Sequence, residues 1–353
     1  MRKIMSYTPQ FLAWYKQNKR DLPWRETTDP YAIWLSEIIL QQTRIDQGLN
    51  YYLKFIERFP CVIDFANATE DEVLKMWQGL GYYSRARNMH TTAKTIVSQF
   101  QGEFPASYKE LMQLKGVGEY TAAAIASIAF NLPHAAVDGN VYRVLSRLFG
   151  IDLPIDTGQG KKAFTQLANE LIDHQHPGNF NQAVMEFGAI QCTPRNPDCT
   201  ICPFKQSCQA YLSNTINKLP VKKGKVKIRK RYFNYLVIVS DSSTFLQKRT
   251  QNDIWKNLYE FPLVETEKEV TSEAVLEQFF ETPQTASSLY ITDETSWKKQ
   301  VLSHQHIFYR FIYLKIERKS DIPATLVKVN KKDIFNFAVP KPIEKELEKT
   351  NWQ

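Results

Sequence analysis

The chain has 353 residues, with 45 lysines and arginines against 37 acids and a formal charge of +8. That length allows two domains, each with its own core, and no apolar run is long enough to span a bilayer. The opening, MRKIMSYTPQ, lacks the apolar core of a secretory leader, so a cytoplasmic protein without membrane contact is expected.

From about Thr8 to Leu212 the apolar residues recur at helical spacing. Thr8–Pro9 reads as an N-cap followed by proline at the first helical position, opening a helix with Phe11, Leu12, Trp14 and Tyr15 on one side. Tyr31 to Gln47 carries Trp34, Leu35, Ile38, Ile39 and Gln42 at helical spacing and is expected to form one helix. Further helices are expected over 69–78, 84–100, 107–113, 119–130, 140–149, 161–173 and 180–190, with no strand among them.

Leu114-Lys115-Gly116-Val117-Gly118 joins two of these helices. Its two glycines permit positive φ and let backbone N–H groups face outward where the next helix begins. Such a hairpin can hold a phosphate without any side chain, although a plain helix–helix turn would use the same glycines. The following helix carries Ala122, Ala123, Ala124 and Ala126, so a partner helix can approach it closely.

Cys192, Cys199, Cys202 and Cys208 then follow with the spacing C-x6-C-x2-C-x5-C. Disulfides fit poorly, because there is no leader and Cys61 would remain as an odd thiol. Four thiolates could hold zinc tetrahedrally, but zinc sites usually join two close pairs across a longer loop. Here one pair is close and Pro194, Pro197 and Pro203 stiffen a single compact loop. That arrangement favours wrapping a 4Fe–4S cluster, with zinc as the alternative.

Lys218 to Arg231 (KLPVKKGKVKIRKR) contains eight basic residues and no acid, equal to the whole net excess. It reads either as a solvated linker or as an electrostatic clamp on a nucleic-acid backbone. Beyond it the pattern changes. Tyr232–Ser240 and Thr244–Lys248 read as strands joined by Asp241–Ser242–Ser243, and 305–316 as a long strand. Helices are expected at 272–280 and 342–349. The fold class is thus α followed by α/β: a helical part over 1–213, a basic linker over 214–231 and an α/β domain over 232–353.

At these motifs the chain resembles a known superfamily. LKGVG is similar to the hairpin of the helix-hairpin-helix DNA glycosylases, and VDGNVYRVL (Val137–Leu145) to their aspartate segment. The cysteine spacing resembles the branch with a 4Fe–4S loop, which includes endonuclease III and the MutY adenine glycosylases. LPWR (Leu22–Arg25), WLSEIILQQT (Trp34–Thr43) and GLGYYSRARN (Gly79–Asn88) look like the MutY family. The resemblance implies a six-helix barrel and a cluster subdomain, with Cys192, Cys199, Cys202 and Cys208 as cluster ligands. It also implies that Gly116, Val117 and Gly118 grip the DNA backbone.

The resemblance further implies residue roles. Endonuclease III has a lysine two positions past the hairpin, which forms a Schiff base with the sugar and permits strand cleavage. Here that position is Tyr120, which cannot form an imine, so a monofunctional glycosylase is expected. Glu37, among Ile33, Leu40 and Gln41, would protonate a flipped-out adenine. Asp138, also a good helix N-cap, would stabilise the resulting cation, with Asn140 and Tyr120 in support. Trp24, Arg25 and Gln182 would line the adenine pocket. Gln42 would fill the gap left by the extruded base, and Thr43, Leu80 and Tyr82 would press on the opposite guanine.

Asp253–Glu265 (DIWKNLYEFPLVE) resembles the Nudix-like lesion-recognition domain of that family. The following SEAVLEQFFE lacks the REx2E box of a working Nudix hydrolase. Where family members carry Phe-Ser-His, this chain has Leu302-Ser303-His304. One aromatic contact to the damaged base is thereby reduced, while Ser303 and His304 remain for hydrogen bonds. The substrate implied is double-stranded DNA with adenine opposite 8-oxoguanine or guanine, bound by a monomer. Rival readings are an endonuclease III-like lyase on oxidised pyrimidines, a non-catalytic redox-responsive DNA-binding protein, and a Nudix hydrolase.

Overall fold

The computed structural model describes residues 7–224, 227–240, 242–280, 289–316 and 322–349. The chain divides into two compact units, Met1–Asn67 with Asn88–Gly224, and Ala68–Arg87 with Lys225–Gln353.

The first unit is helical, with no strand among its described residues. In α1 (Tyr7–Asn18), Thr8 is already helical, and its hydroxyl donates to the Leu171 carbonyl at 2.6 Å. It ties α1 to a distant helix end and does not serve as the expected N-cap. α2 (Pro30–Ile39) starts where the Asp29 carboxylate accepts from the Tyr31 and Ala32 amides. It stops eight residues before Gln47, since Gln42 turns the chain at φ 59° and α3 (Ile45–Arg58) begins afresh. The single helix expected there is two.

α4 (Val62–Asn67) follows, while α5 (Glu70–Met76) and the first turn of α6 (Ser84–Phe100) belong to the second unit. α7 (Tyr108–Leu111) is capped by Ser107, and α8 (Glu119–Phe130) starts at Gly118. α9 (Gly139–Phe149) is capped by Asp138 and α10 (Gly158–Leu171) by Thr157. α11 (Pro177–Glu186) runs into one π turn, Phe187–Gln191, that delivers Cys192. α12 (Gln209–Leu212) starts after Cys208.

The alanine face of α8 is fully buried, and α2 packs on it. A second core joins Phe11 of α1, Phe180 of α11, Phe187 and Phe204. Phe204 sits between Cys202 and Cys208 in sequence, and its ring lies 4.4 Å from Phe11 and 5.2 Å from Phe187. Burying such a ring contributes about 2–3 kcal/mol, which anchors the cysteine loop to the helices.

The second unit is built on a mixed sheet. In chain order it has β1 (Arg229–Ser240), β2 (Ser243–Lys248), β3 (Tyr259–Glu260), β4 (Leu263–Thr266), β5 (Leu289–Glu294), β6 (Lys298–Val301), β7 (Gln305–Ile316) and β8 (Val327–Asn330). β1 runs parallel to β7 from Arg229↔Gln305 onward, and the other pairings are antiparallel. Alternation along β1 sends Phe233, Tyr235 and Val237 to one face and Leu236 and Ile238 to the other. α13 (Ser272–Phe279) covers the second face and α14 (Lys341–Leu347) the first. Ser240 pairs with Ser243 as the expected hairpin requires, while Asp241 lies outside the described residues.

The basic run is partly committed to internal pairing. Arg231 is buried, and its guanidinium binds Asp253 and Glu265 at 2.5–2.9 Å. The Lys223 and Gly224 amides donate to the Asp156 carboxylate, each at 2.9 Å. Lys225 lies outside the described residues. No described helix is long and apolar enough to cross a membrane.

Candidate active site

A cavity of about 860 Å³ opens in the first unit. Nine of the residues singled out above line it: Trp24, Arg25, Glu37, Gln42, Thr43, Tyr120, Asp138, Asn140 and Gln182. α2 supplies Glu37, α8 supplies Tyr120 and the N-terminus of α9 supplies Asp138 and Asn140. The close α2–α8 packing lets the Tyr120 hydroxyl donate to Glu37 Oε2 at 2.5 Å, with Met185 Sδ 3.3 Å from the Tyr120 hydroxyl oxygen. Burial pushes the Glu37 carboxyl up to about 7; the Tyr120 hydrogen bond opposes the rise, and the Asp138 charge adds to it. The same burial, with Glu37 and Asp138 nearby, keeps the Tyr120 phenol protonated far above neutral pH.

Asp138 is held differently. Its Oδ1 accepts from the Asn140 and Val141 amides at 2.9 and 2.8 Å, and its Oδ2 from Asn140 Nδ2 at 2.7 Å. Capping and site geometry are therefore one arrangement. Burial raises its carboxyl as well, against these three hydrogen bonds. Asn140 is oriented in turn by Arg143, whose Nη2 donates to Asn140 Oδ1 at 2.8 Å and to the Gly188 carbonyl at 2.6 Å. Arg143 Nε also donates to the Cys192 carbonyl at 2.8 Å, which ties the carboxylate's support to the cysteine loop.

The cavity lining also carries an Arg20–Glu186–Arg25 ion-pair group that the sequence reading missed. Glu186, almost fully buried, accepts from Arg20 at 2.6 and 2.8 Å and from Arg25 at 2.7 and 3.1 Å. Burial alone would raise the Glu186 carboxyl, but the two guanidiniums hold it down at about 2. Arg25 lies over the Tyr15 ring, and the Tyr15 hydroxyl donates to Gln182 Oε1 at 2.6 Å. That bond directs the Gln182 N–H groups elsewhere. Trp24 is buried edge-to-face on Tyr52 at 5.1 Å. Gln42 stands exposed in a left-handed turn at the rim.

The other predicted residues are not among those lining this cavity. Leu80, Tyr82, Ser303 and His304 share a cavity of about 440 Å³ in the second unit, where the Tyr82 and Ser303 hydroxyls are hydrogen-bonded. In the hairpin, Gly116 has φ 79°, and a Cβ there would meet the Asn88 side chain at 2.7 Å. Gly118 does not need positive φ: it is extended at φ −94° with open space around it, and only Gly116 uses that freedom. Val117 is buried, so the hairpin offers its backbone outward.

The four cysteines line one cavity with Phe187, Phe204 and Arg147, and none is in a disulfide. Among the described residues no three His, Cys, Asp or Glu side chains converge tightly enough to hold a single metal ion. Arg147 Nη1 donates to Cys192 Sγ at 3.4 Å, and the Phe204 amide to Cys202. Burial, with the other cysteines adding to it, raises the Cys199, Cys202 and Cys208 thiols, Cys202 to about 11. Thiolates so penalised need positive charge among them, and this donor set fits a polynuclear iron–sulfur cluster.

Arg143 and Arg147 did leave a local signal: two arginines four apart on the otherwise apolar face of α9. The Arg20–Glu186–Arg25 group left none, since its partners are more than 160 residues apart.

Comparison with known proteins gives the family of each part of the chain. Residues 35–172 match the family of HhH-GPD superfamily base excision DNA repair proteins, and residues 234–349 match the NUDIX domain. An adenine DNA glycosylase of Buchnera aphidicola (subsp. Baizongia pistaciae) is 40% identical over 253 residues, covering 71% of this chain and 72% of its own. The human adenine DNA glycosylase is 42% identical over 217 residues, covering 59% of this chain and 40% of its own. Among solved structures, a thermostable thymine-DNA glycosylase superposes with a TM-score of 0.56 at 32% identity, covering 60% of this chain and 98% of that one. A trapped endonuclease III–DNA intermediate shares the fold, with a TM-score of 0.53 at 21% identity, covering 60% of this chain and 97% of that one. The chain belongs to the MutY family of adenine DNA glycosylases.

Proposed function

We propose that this protein removes adenine from DNA by hydrolysing its N-glycosidic bond, with Glu37 as general acid and Asp138 as electrostatic partner. The observation that carries this reading is a carboxyl pushed up to about 7 that shares its cavity with a second, hydrogen-bonded carboxylate. Near neutral pH about half of Glu37 is protonated. It can give its proton to a ring nitrogen of an extruded adenine, so that the base leaves with both electrons of the C1′–N9 bond. Asp138, held by Asn140 and Val141, faces the developing positive sugar, and water adds at C1′ and returns its extra proton to a carboxylate. Trp24, Arg25 and Gln182 bind and orient the base, while Gln42 occupies the vacated stack.

The mispair assignment rests on the second unit's cavity, where Ser303 and His304 offer hydrogen bonds beside Tyr82. The substrate is adenine opposite 8-oxoguanine or guanine, bound by a monomeric, cytoplasmic enzyme. Cys192, Cys199, Cys202 and Cys208 would hold a 4Fe–4S cluster, which supplies local structure and positive charge in a reaction that moves no electrons. The linker expected over 214–231 would end at Ile228, since β1 begins at Arg229 and Arg231 is buried.

The test is a duplex with adenine opposite 8-oxoguanine, assayed with and without an alkali chase. Nicks only after alkali are expected, because Tyr120 cannot form the imine that strand cleavage needs. Nicks without alkali would restore a lyase, and absence of adenine release would remove the assignment.

A further inference from the structure

The cavity around Ser303 has a wall that the sequence reading did not include. Besides Leu80, Tyr82, Leu302, Ser303 and His304, it is lined by Trp255. Trp255 lies in a turn at φ 58°, and Tyr82, which also lines the cavity, is left-handed too at φ 47°. Bulky residues avoid this region unless the surroundings enforce it, and such strain gathers at binding sites.

The enforcement is visible. Arg231 and Arg249 both bind the Asp253 carboxylate, at 2.7–3.0 Å, and Arg249 Nε donates to the Ile254 carbonyl at 3.1 Å. Arg87 Nη1 donates to the Lys256 carbonyl at 2.8 Å, and the Leu258 amide to the Trp255 carbonyl at 3.0 Å. Every residue from 253 to 256 is thus pinned through its own carboxylate or carbonyl. The indole packs edge-on against Phe233 at 6.1 Å and is only partly buried, which leaves part of its surface to the cavity.

We propose that Trp255 is a further specificity-determining residue for the damaged purine, supplying the aromatic contact that Leu302 does not. This rests on the reading above that the cavity takes the base opposite adenine. Stacking alone is blind to base identity. The discrimination arises because Ser303 and His304 hold a purine that presents the extra N7–H and O8 of 8-oxoguanine, and Trp255 then packs against the base so held.

The experiment measures affinity for duplexes with adenine opposite 8-oxoguanine and opposite guanine, for wild type and for Trp255→Phe, Trp255→Ala and Trp255→Gly. The glycine variant also releases the left-handed backbone, so it reports even if the alanine variant folds poorly. Phenylalanine is expected to keep the wild-type affinity ratio within about threefold, and alanine and glycine to lose about tenfold of it. Alanine and glycine variants that keep the ratio, or weaken both duplexes equally, would overturn the role given to Trp255. A wild-type protein that binds both duplexes equally would instead overturn the lesion reading of the cavity, and this inference with it.

Discussion

Glu37 and Asp138 are both carboxylates in one cavity, and their partners hold them differently. Burial raises both, but Asp138 receives three N–H bonds whereas Glu37 receives one O–H bond. That single bond favours the ionised form, so Tyr120→Phe should keep Glu37 protonated to higher pH. The alkaline limb of the rate profile is then expected to move upward, which single-turnover kinetics over a pH series would show; a downward move would contradict the assignment. Asn140→Leu removes a donor from Asp138 while keeping the side chain's size. A hydrogen bond to a charged group contributes about 1.5–3 kcal/mol, so adenine release should slow about 10–100-fold. Duplex affinity should change little, and an equal loss in both would mark a structural role.

The hairpin between α7 and α8 separates two glycines that look equivalent in the sequence. Gly116→Ala meets both a left-handed backbone and the Asn88 side chain and should cost about 1–2 kcal/mol or more. Gly118→Ala meets neither and should stay within about 0.5 kcal/mol. Urea unfolding of the two variants checks the contrast, and equal losses would refute it. The other helices were legible where a cap and a period coincide, as at Thr69, Ser107 and Asp138. The α2–α3 break was hidden because Gln42, neither glycine nor proline, takes the left-handed turn. β3, β4, β6 and β8 are two to four residues long, too short for alternation to register. Glu37, Tyr120, Asp138 and Asn140 were singled out through the resemblance, since an acid or a tyrosine on a helix is usually just surface or core. Glu186 needed the fold itself.

At the scale of the molecule, the α/β unit extends beyond the C-terminal sequence to include Ala68–Arg87. Lys75 Nζ donates to the Phe337 carbonyl at 3.2 Å, the Val339 amide to Gln78 Oε1 at 3.2 Å, and Lys248 pairs with Asp71 at 2.6 Å. A fragment of residues 225–353 lacks these partners. It should unfold at lower urea than the same residues in the intact chain; equal midpoints would show that the sheet stands alone. The measurement that bears most directly on the whole account is the pH dependence of single-turnover adenine release by the intact protein and by Glu37→Gln. The wild-type rate should fall as pH rises through about 7, as Glu37 loses its proton. Below about pH 7 Glu37→Gln should be slower by about 10²–10⁴-fold, and the gap should close as the wild type loses its acid at higher pH. A wild-type profile flat across this range, or a glutamine variant near the wild-type rate below that pH, would contradict Glu37 as the acid.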